Sequence, residues 1–210
     1  MRPNMHALRE RILEATKRIL ASKGLAWATT KAIAKDAGCA EGSLYNHFRD
    51  RTALLLAVFQ ESLPHFSEAL HALPLRVGEG TVEETLKALF LTCVPFYRQV
   101  VPLMGSLFSD LALLEQYGKT LAASGQGPYT SHHHLIAYLK AEQRLGRIRP
   151  EADVTFFSEI MLGSCWQRAF RDRFLASLAK HPKQCSDYAE SDVLFAAQLA
   201  EAMTRALRAP

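Results

Sequence analysis

Residues 29–48, TTKAIAKDAGCAEGSLYNHF, carry the pattern that most restricts what this chain can fold into. Two short apolar stripes meet there at a single glycine. In the first, Ile33, Ala34 and Ala37 recur at helical spacing, and Thr29 stands where an N-cap belongs. Gly38 follows, and a sharp corner between helices needs the left-handed backbone that glycine adopts without steric cost. The second stripe runs from about Glu41 to Phe48 and pairs Leu44 with Phe48, four residues apart on one face. Gly42, Ser43, Asn46 and His47 are left facing outward beside Tyr45. Small, hydrogen-bonding side chains on a short helix propped by another helix suit the major groove of duplex DNA. The spacing predicts a helix-turn-helix.

The charge distribution points the same way. Residues 1–55 hold ten lysines and arginines against five acids, whereas the remainder of the chain is close to balanced. An excess of positive charge confined to the segment with the helix-turn-helix implies a polyanionic partner there. Hydrophobic residues make up 49% of the chain and charged residues 22%, which excludes a disordered chain. The apolar stretches look too short for a membrane span, and the first residues lack the apolar segment of a secretory signal, so a cytoplasmic location with no membrane partner is expected. Cys39, Cys93, Cys165 and Cys185 are far apart with no metal-ligand spacing, so free thiols are expected. No cofactor is expected either.

Hydrophobic periodicity predicts an all-α fold. Leu8, Ile12, Ala15 and Ile19 form a first helical stripe closed by Gly24. After the helix-turn-helix, Asp50 is placed to cap a fourth helix bearing Leu54, Leu55, Val58 and Phe59. Residues 73–80 read as a loop. A helix is predicted from Thr81 or Val82 to about Val100, kinked at Pro95, then further helices over 106–117 and 130–145. The Ser124–Pro128 run separates the last two. Asp153 is placed to cap a long helix to about Phe174, and Asp192 to cap the last, ending near Arg208.

The segment from about Leu8 to Phe59 resembles the DNA-binding domain of the TetR (tetracycline repressor-like) family. The resemblance rests on Gly24, Thr29, Ile33, Ala34, Ala37, Gly38, Leu44, Tyr45, His47, Phe48 and Leu54 at their combined spacing. Cys39 stands where the family usually has valine, and Arg51 where it usually has lysine. The resemblance implies a three-helix helix-turn-helix domain over 1–55, joined to a helical ligand-binding and dimerisation domain over 56–210. It also implies a regulator, expected to be a repressor, that binds a pseudo-palindromic double-stranded operator as a homodimer and is released by a small effector. A DNA-binding architectural protein without ligand response is the alternative, with a small-molecule enzyme further behind.

Chemistry and the resemblance together assign the DNA contacts. Thr29 and Thr30 offer hydroxyls to a phosphate, and Lys31 reaches phosphate or a base edge. Gly42 permits close approach, and Ser43 can donate to or accept from any base. Tyr45, Asn46 and His47 resemble the family's contact cluster, with Asn46 the expected reader of adenine and Arg51 expected on phosphate.

Two apolar stripes near the C-terminus, Phe157/Ile160/Met161/Ser164 and Val193/Ala196/Ala197/Ala200/Met203/Leu207, suit close helix packing. Internal core packing accounts for both; the resemblance implies that these last two helices pair across a twofold axis. It also implies a cavity among the middle helices. Cys93, Phe96, Tyr97, Phe108, Tyr138, Trp166 and Gln167 are its candidate lining, with Gln99 and Arg168 further polar candidates, and an apolar or aromatic effector is expected. Ser131-His132-His133-His134 looks like a metal motif, but successive helical residues diverge by about 100° and cannot converge on one ion.

Overall fold

A computed structural model describes residues 3–61, 69–124, 128–177 and 191–208. Cys185 and residues 125–127 of the expected breaker therefore lie outside the described residues. Among those described there are helices and no strand. They divide into two compact units, one within 1–64 and 102–124, the other within 65–101 and 125–210. The first unit thus takes in a segment, 102–124, that chain order alone assigns elsewhere.

In the first unit, α1 (Pro3–Lys23) ends at Gly24, whose amide donates to the Ile19 and Leu20 carbonyls, both at 3.2 Å, from a left-handed φ of 85°. A 3-10 turn over Leu25–Trp27 leads into α2 (Thr30–Ala37), α3 (Glu41–Leu44) and α4 (Arg51–Glu61). The Asp50 carboxylate accepts from the Ala53 amide at 2.7 Å and caps α4 as expected. Ile12, Leu13, Ile19 and Leu20 of α1 pack on Ile33 and Ala37 of α2, on Leu44 and Phe48, and on Leu54, Leu55, Val58 and Phe59. Burying each large side chain contributes about 1.5–3 kcal/mol. The same core includes Leu103 and Leu107 from the end of α5 (Val82–Phe108) and Leu113, Tyr117 and Leu121 from α6 (Leu111–Ser124). The Phe59 and Tyr117 rings meet at 5.4 Å between centroids, and burial pushes the Tyr117 phenol up to about 12.

Two of the expected helices differ in extent. The helix from Val82 runs through Pro95 and Pro102 to Phe108 instead of stopping near Val100. Its start is held by a capping box: the Glu84 carboxylate accepts from the Thr81 amide at 2.9 Å, and the Thr81 hydroxyl from the Glu84 amide at 3.1 Å. The predicted 106–117 helix is broken at Ser109–Asp110, and Asp110 caps α6 by accepting from the Leu113 amide at 3.0 Å. By length and composition, α5 could also cross a membrane, contrary to the expectation from sequence. Here Leu86, Leu89, Phe90, Cys93 and Val94 along it are buried core residues.

The second unit holds the first part of α5, a 3-10 turn (Leu73–Arg76), α7 (Pro128–Arg144), α8 (Val154–Ser177) and α9 (Asp192–Leu207). Asp153 caps α8, accepting from the Thr155 and Phe156 amides. The cap of α9 is Ser191, whose hydroxyl accepts from the Leu194 amide at 3.1 Å. Asp192, expected as that cap, is instead the first helical residue and faces Arg98 of α5. Arg98 donates to Asp192 at 2.5 Å and to Asp172 of α8, and the buried Arg168 lies 3.5 Å from Asp192. Two cations and two carboxylates thus join α5, α8 and α9. Fully buried Glu142 forms a second polar knot, accepting from the Gly78 amide at 3.0 Å and pairing with Arg147 at 3.2 Å.

The Arg98 hydrogen bond holds the Asp192 carboxyl below its ordinary range. A depressed folded-state pKa stabilises the protein above the ordinary aspartate pKa, and that stability is lost as pH falls through the folded value. Urea unfolding midpoints should therefore drop between pH 5 and pH 3, and drop less steeply in Arg98→Gln.

Candidate nucleic-acid interface

The corner at Gly38 is built as the sequence requires. Gly38 has φ 66° and ψ 44°, and the following Cys39 amide donates to the Ala34 carbonyl at 3.0 Å, closing α2. At the other end, the Thr29 hydroxyl accepts from the Ala32 amide at 3.2 Å. Capping uses only the oxygen of Thr29, so its O–H is still able to donate to a phosphate.

Thr30 is differently engaged. Its hydroxyl donates to the Glu41 carboxylate at 2.5 Å, tying the first turn of α2 to the first turn of α3. That bond holds the start of α3 against α2. The second helix of the motif is also shorter than expected. It is helical over Glu41–Leu44, and Tyr45–His47 form a turn in which the Phe48 amide still reaches the Leu44 carbonyl at 2.8 Å. Leu44 and Phe48 are buried together, as their spacing demands.

Outward from this pair lie Gly42, Tyr45 and Asn46, all exposed, with Ser43 and His47 half-buried. Tyr45 is 54% exposed, so the ring is not a core residue. At Gly42 an added Cβ would meet nothing in the protein within 4 Å. Packing therefore does not demand the glycine, whereas a close approach to a surface outside the molecule would. Lys31 is exposed on α2, and Arg49, unassigned from sequence, is exposed beside the turn. His47 sits against Phe48 at 6.4 Å between rings.

Arg51, expected on phosphate, is part-buried and turned inward. Its Nε donates to the Ala28 carbonyl and one Nη to the Leu25 carbonyl, both at 2.8 Å. The guanidinium braces the 3-10 turn before α2 against the start of α4. Arginine's planar fork reaches two carbonyls at once, which lysine's single ammonium cannot reproduce.

Residues 12–58 match the family described as bacterial regulatory proteins, tetR family. That stretch of the chain is tetR-family sequence. Over 131 residues the chain is 26% identical to the HTH-type transcriptional regulator PksA of Bacillus subtilis, covering 62% of this chain and 63% of that protein. Over 53 residues it is 40% identical to the regulator YerO of the same organism, covering 25% of this chain and 18% of YerO. The chain thus spans less than two thirds of either relative. A solved structure of a TetR-family protein from Mesorhizobium loti shares the fold, with a TM-score of 0.69, 16% identity, and coverage of 98% and 96% of the two chains. Both relatives are named as transcriptional regulators.

The expected effector lining does not assemble as one group. Cys93, Tyr97 and Trp166 do converge: the Tyr97 ring meets Trp166 at 5.5 Å and Phe96 at 5.3 Å. Cys165, missed from sequence, belongs with them, because its thiol reaches Cys93. Burial and that neighbour push the Cys93 thiol well up, so it stays protonated and unreactive. Tyr138 is buried in the second unit near Glu142 and Thr85, its phenol pushed up to about 12 chiefly by burial. Phe108 is 59% exposed and belongs to the first unit, and Gln167 is exposed on α8. Arg168 is committed to the charge network. Of the three histidines, His132 lies 3.2 Å from Ser158, His133 is exposed and His134 stacks on His71, so they face apart.

Arg51→Ala should lower stability by about 2 kcal/mol, since two bonds from a charged donor are lost. Arg51→Lys should recover only part of it. Chemical denaturation monitored by circular dichroism measures both.

Proposed function

We propose that the protein is a ligand-responsive repressor that binds a pseudo-palindromic DNA operator as a twofold homodimer. The observation that carries this reading is the exposed surface of Gly42, Tyr45 and Asn46 on a corner locked by Gly38, Thr29 and Thr30. Residues 1–55 would read DNA and residues 56–210 would sense ligand and dimerise. Thr29, Lys31 and Tyr45 would hold phosphate, Ser43 and Asn46 would read bases, and His47 would support them. Arg51 and Thr30 would act by fixing the corner.

The dimer surface is supported by an outward apolar stripe on α8. Phe156, Phe170 and Phe174 are each more than half exposed, and Gly163 and Gln167 lie exposed on the same helical face. Val193 and Leu194 of α9 are likewise exposed. A second copy would cover these residues by an isologous contact. On α8 this face differs from the Phe157/Ile160/Met161/Ser164 stripe, whose Met161 is buried within the protomer, whereas Val193 of the expected α9 stripe is exposed and Ala196, Ala200 and Leu207 are buried. Twofold pairing would set two recognition segments about 34–36 Å apart, one turn of DNA. An apolar or aromatic effector would act near Cys93, Phe96, Tyr97, Tyr138 and Trp166 by favouring a form with misplaced recognition segments.

Selection of bound duplexes from genomic fragments, followed by gel shift at graded salt, tests the reading; absence of any salt-sensitive complex refutes it. Tyr45→Ala should weaken all sequences alike. Asn46→Ala should alter base preference at about 1–3 kcal/mol for its contacted pair. Phe170→Asp should yield a monomer by analytical ultracentrifugation and lose operator affinity. A DNA-binding protein without effector response would bind with little discrimination and survive challenge by apolar small molecules.

A further inference from the structure

Trp27 ends the 3-10 turn before α2 and is 64% exposed, although its neighbours Leu25 and Ala28 turn towards the core. Beside it lies an open depression of about 620 Å³ lined by Ala26, Trp27, Thr29, Lys31, Ala32 and Lys35. An indole and two ammonium groups therefore share one concavity whose lining includes no acid. Lys31 and Lys35 are four residues apart on α2, so they stand on one face about one helical turn from each other. The depression is continuous with the proposed reading surface, because Thr29 belongs to both.

We propose that Trp27, Lys31 and Lys35 clamp the DNA sugar-phosphate backbone next to the base pairs read by Ser43 and Asn46, widening the footprint beyond the recognition segment. The inference rests on the DNA-binding reading above. Its chemistry is that of the lining. The flat indole packs against apolar deoxyribose faces and its N–H donates to a phosphate oxygen. The two ammonium groups meet successive charges along one strand. A single lysine on phosphate carries no sequence information but adds affinity and salt dependence. A small aromatic anion would also suit an indole and two lysines. The shared Thr29 and the positive excess of residues 1–55 favour the polyanion.

The test uses the full-length chain and a duplex of about three helical turns selected by it from random sequence. Hydroxyl-radical footprinting reads protection of the sugars directly. Trp27→Ala should remove protection at sugars flanking the recognised bases, leave the central protection in place, and weaken binding about tenfold regardless of sequence. Lys35→Gln should lower the slope of log affinity against log salt by about 0.9. Thermal unfolding of both variants should match the parent. If both variants keep parental affinity, footprint and salt slope while the duplex is still bound, the clamp is overturned and the DNA-binding reading stands. If the parent chain retains no duplex, both fall. If the variants instead lose only the response to a small aromatic anion, the depression is a ligand site and the clamp is overturned.

Discussion

The reading surface depends on how the Arg51 guanidinium is spent. The Ala28 carbonyl before α2 accepts from Arg51, which reaches over from the start of α4 and adds a second bond to the Leu25 carbonyl, itself already paired with the Ala28 amide. That brace fixes where Thr29 begins α2. The capped α2 then presents Thr30 to Glu41, and the Thr30–Glu41 bond sets the start of α3. A chain of four polar contacts thus positions a helix of only four residues, far too short to persist by its own backbone bonding. Gly38 makes the corner possible, and the Leu44–Phe48 pair anchors it in the core.

The second unit is organised by charge as much as by apolar packing. Arg98, Arg168, Asp172 and Asp192 come from three helices and neutralise one another away from full solvent exposure. Arg168 is buried and the other three are partly exposed; such ionic groups offer modest net stability, and removing a partner of the buried one is costly. They therefore select how α9 lies on α5 and α8. The exposed phenylalanines of α8 are what remains once that arrangement is satisfied.

Periodicity served well where a helix has one apolar face. The stripes of α1, α2 and α4 and the caps at Thr29, Asp50 and Asp153 are legible because each rests on local geometry. The same reasoning left the Phe157–Ser164 stripe of α8 open to internal packing or pairing and did not single out the exposed face beside it. That helix is apolar on two sides, and a pattern of hydrophobic residues cannot tell an interior side from one left exposed. The end of α5 was placed too early: the helix continues past Val100 and through Pro102, which removes one backbone donor, to Phe108. Phe108 and Gln167 were grouped with Cys93 and Tyr97 by residue type, which carries no information on distance.

Sequence alone therefore determined the helical class, the Gly38 corner, the inward Leu44–Phe48 pair and the outward Gly42, Ser43, Tyr45, Asn46 and His47, because all of these follow from contacts within about five residues. Tertiary structure decided what Arg51 and Thr30 bind, that Ser191 rather than Asp192 caps the last helix, and which face of α8 stays uncovered. Each of those outcomes depends on a partner distant in sequence, and a side chain's chemistry does not say which of several possible partners the fold will bring within reach.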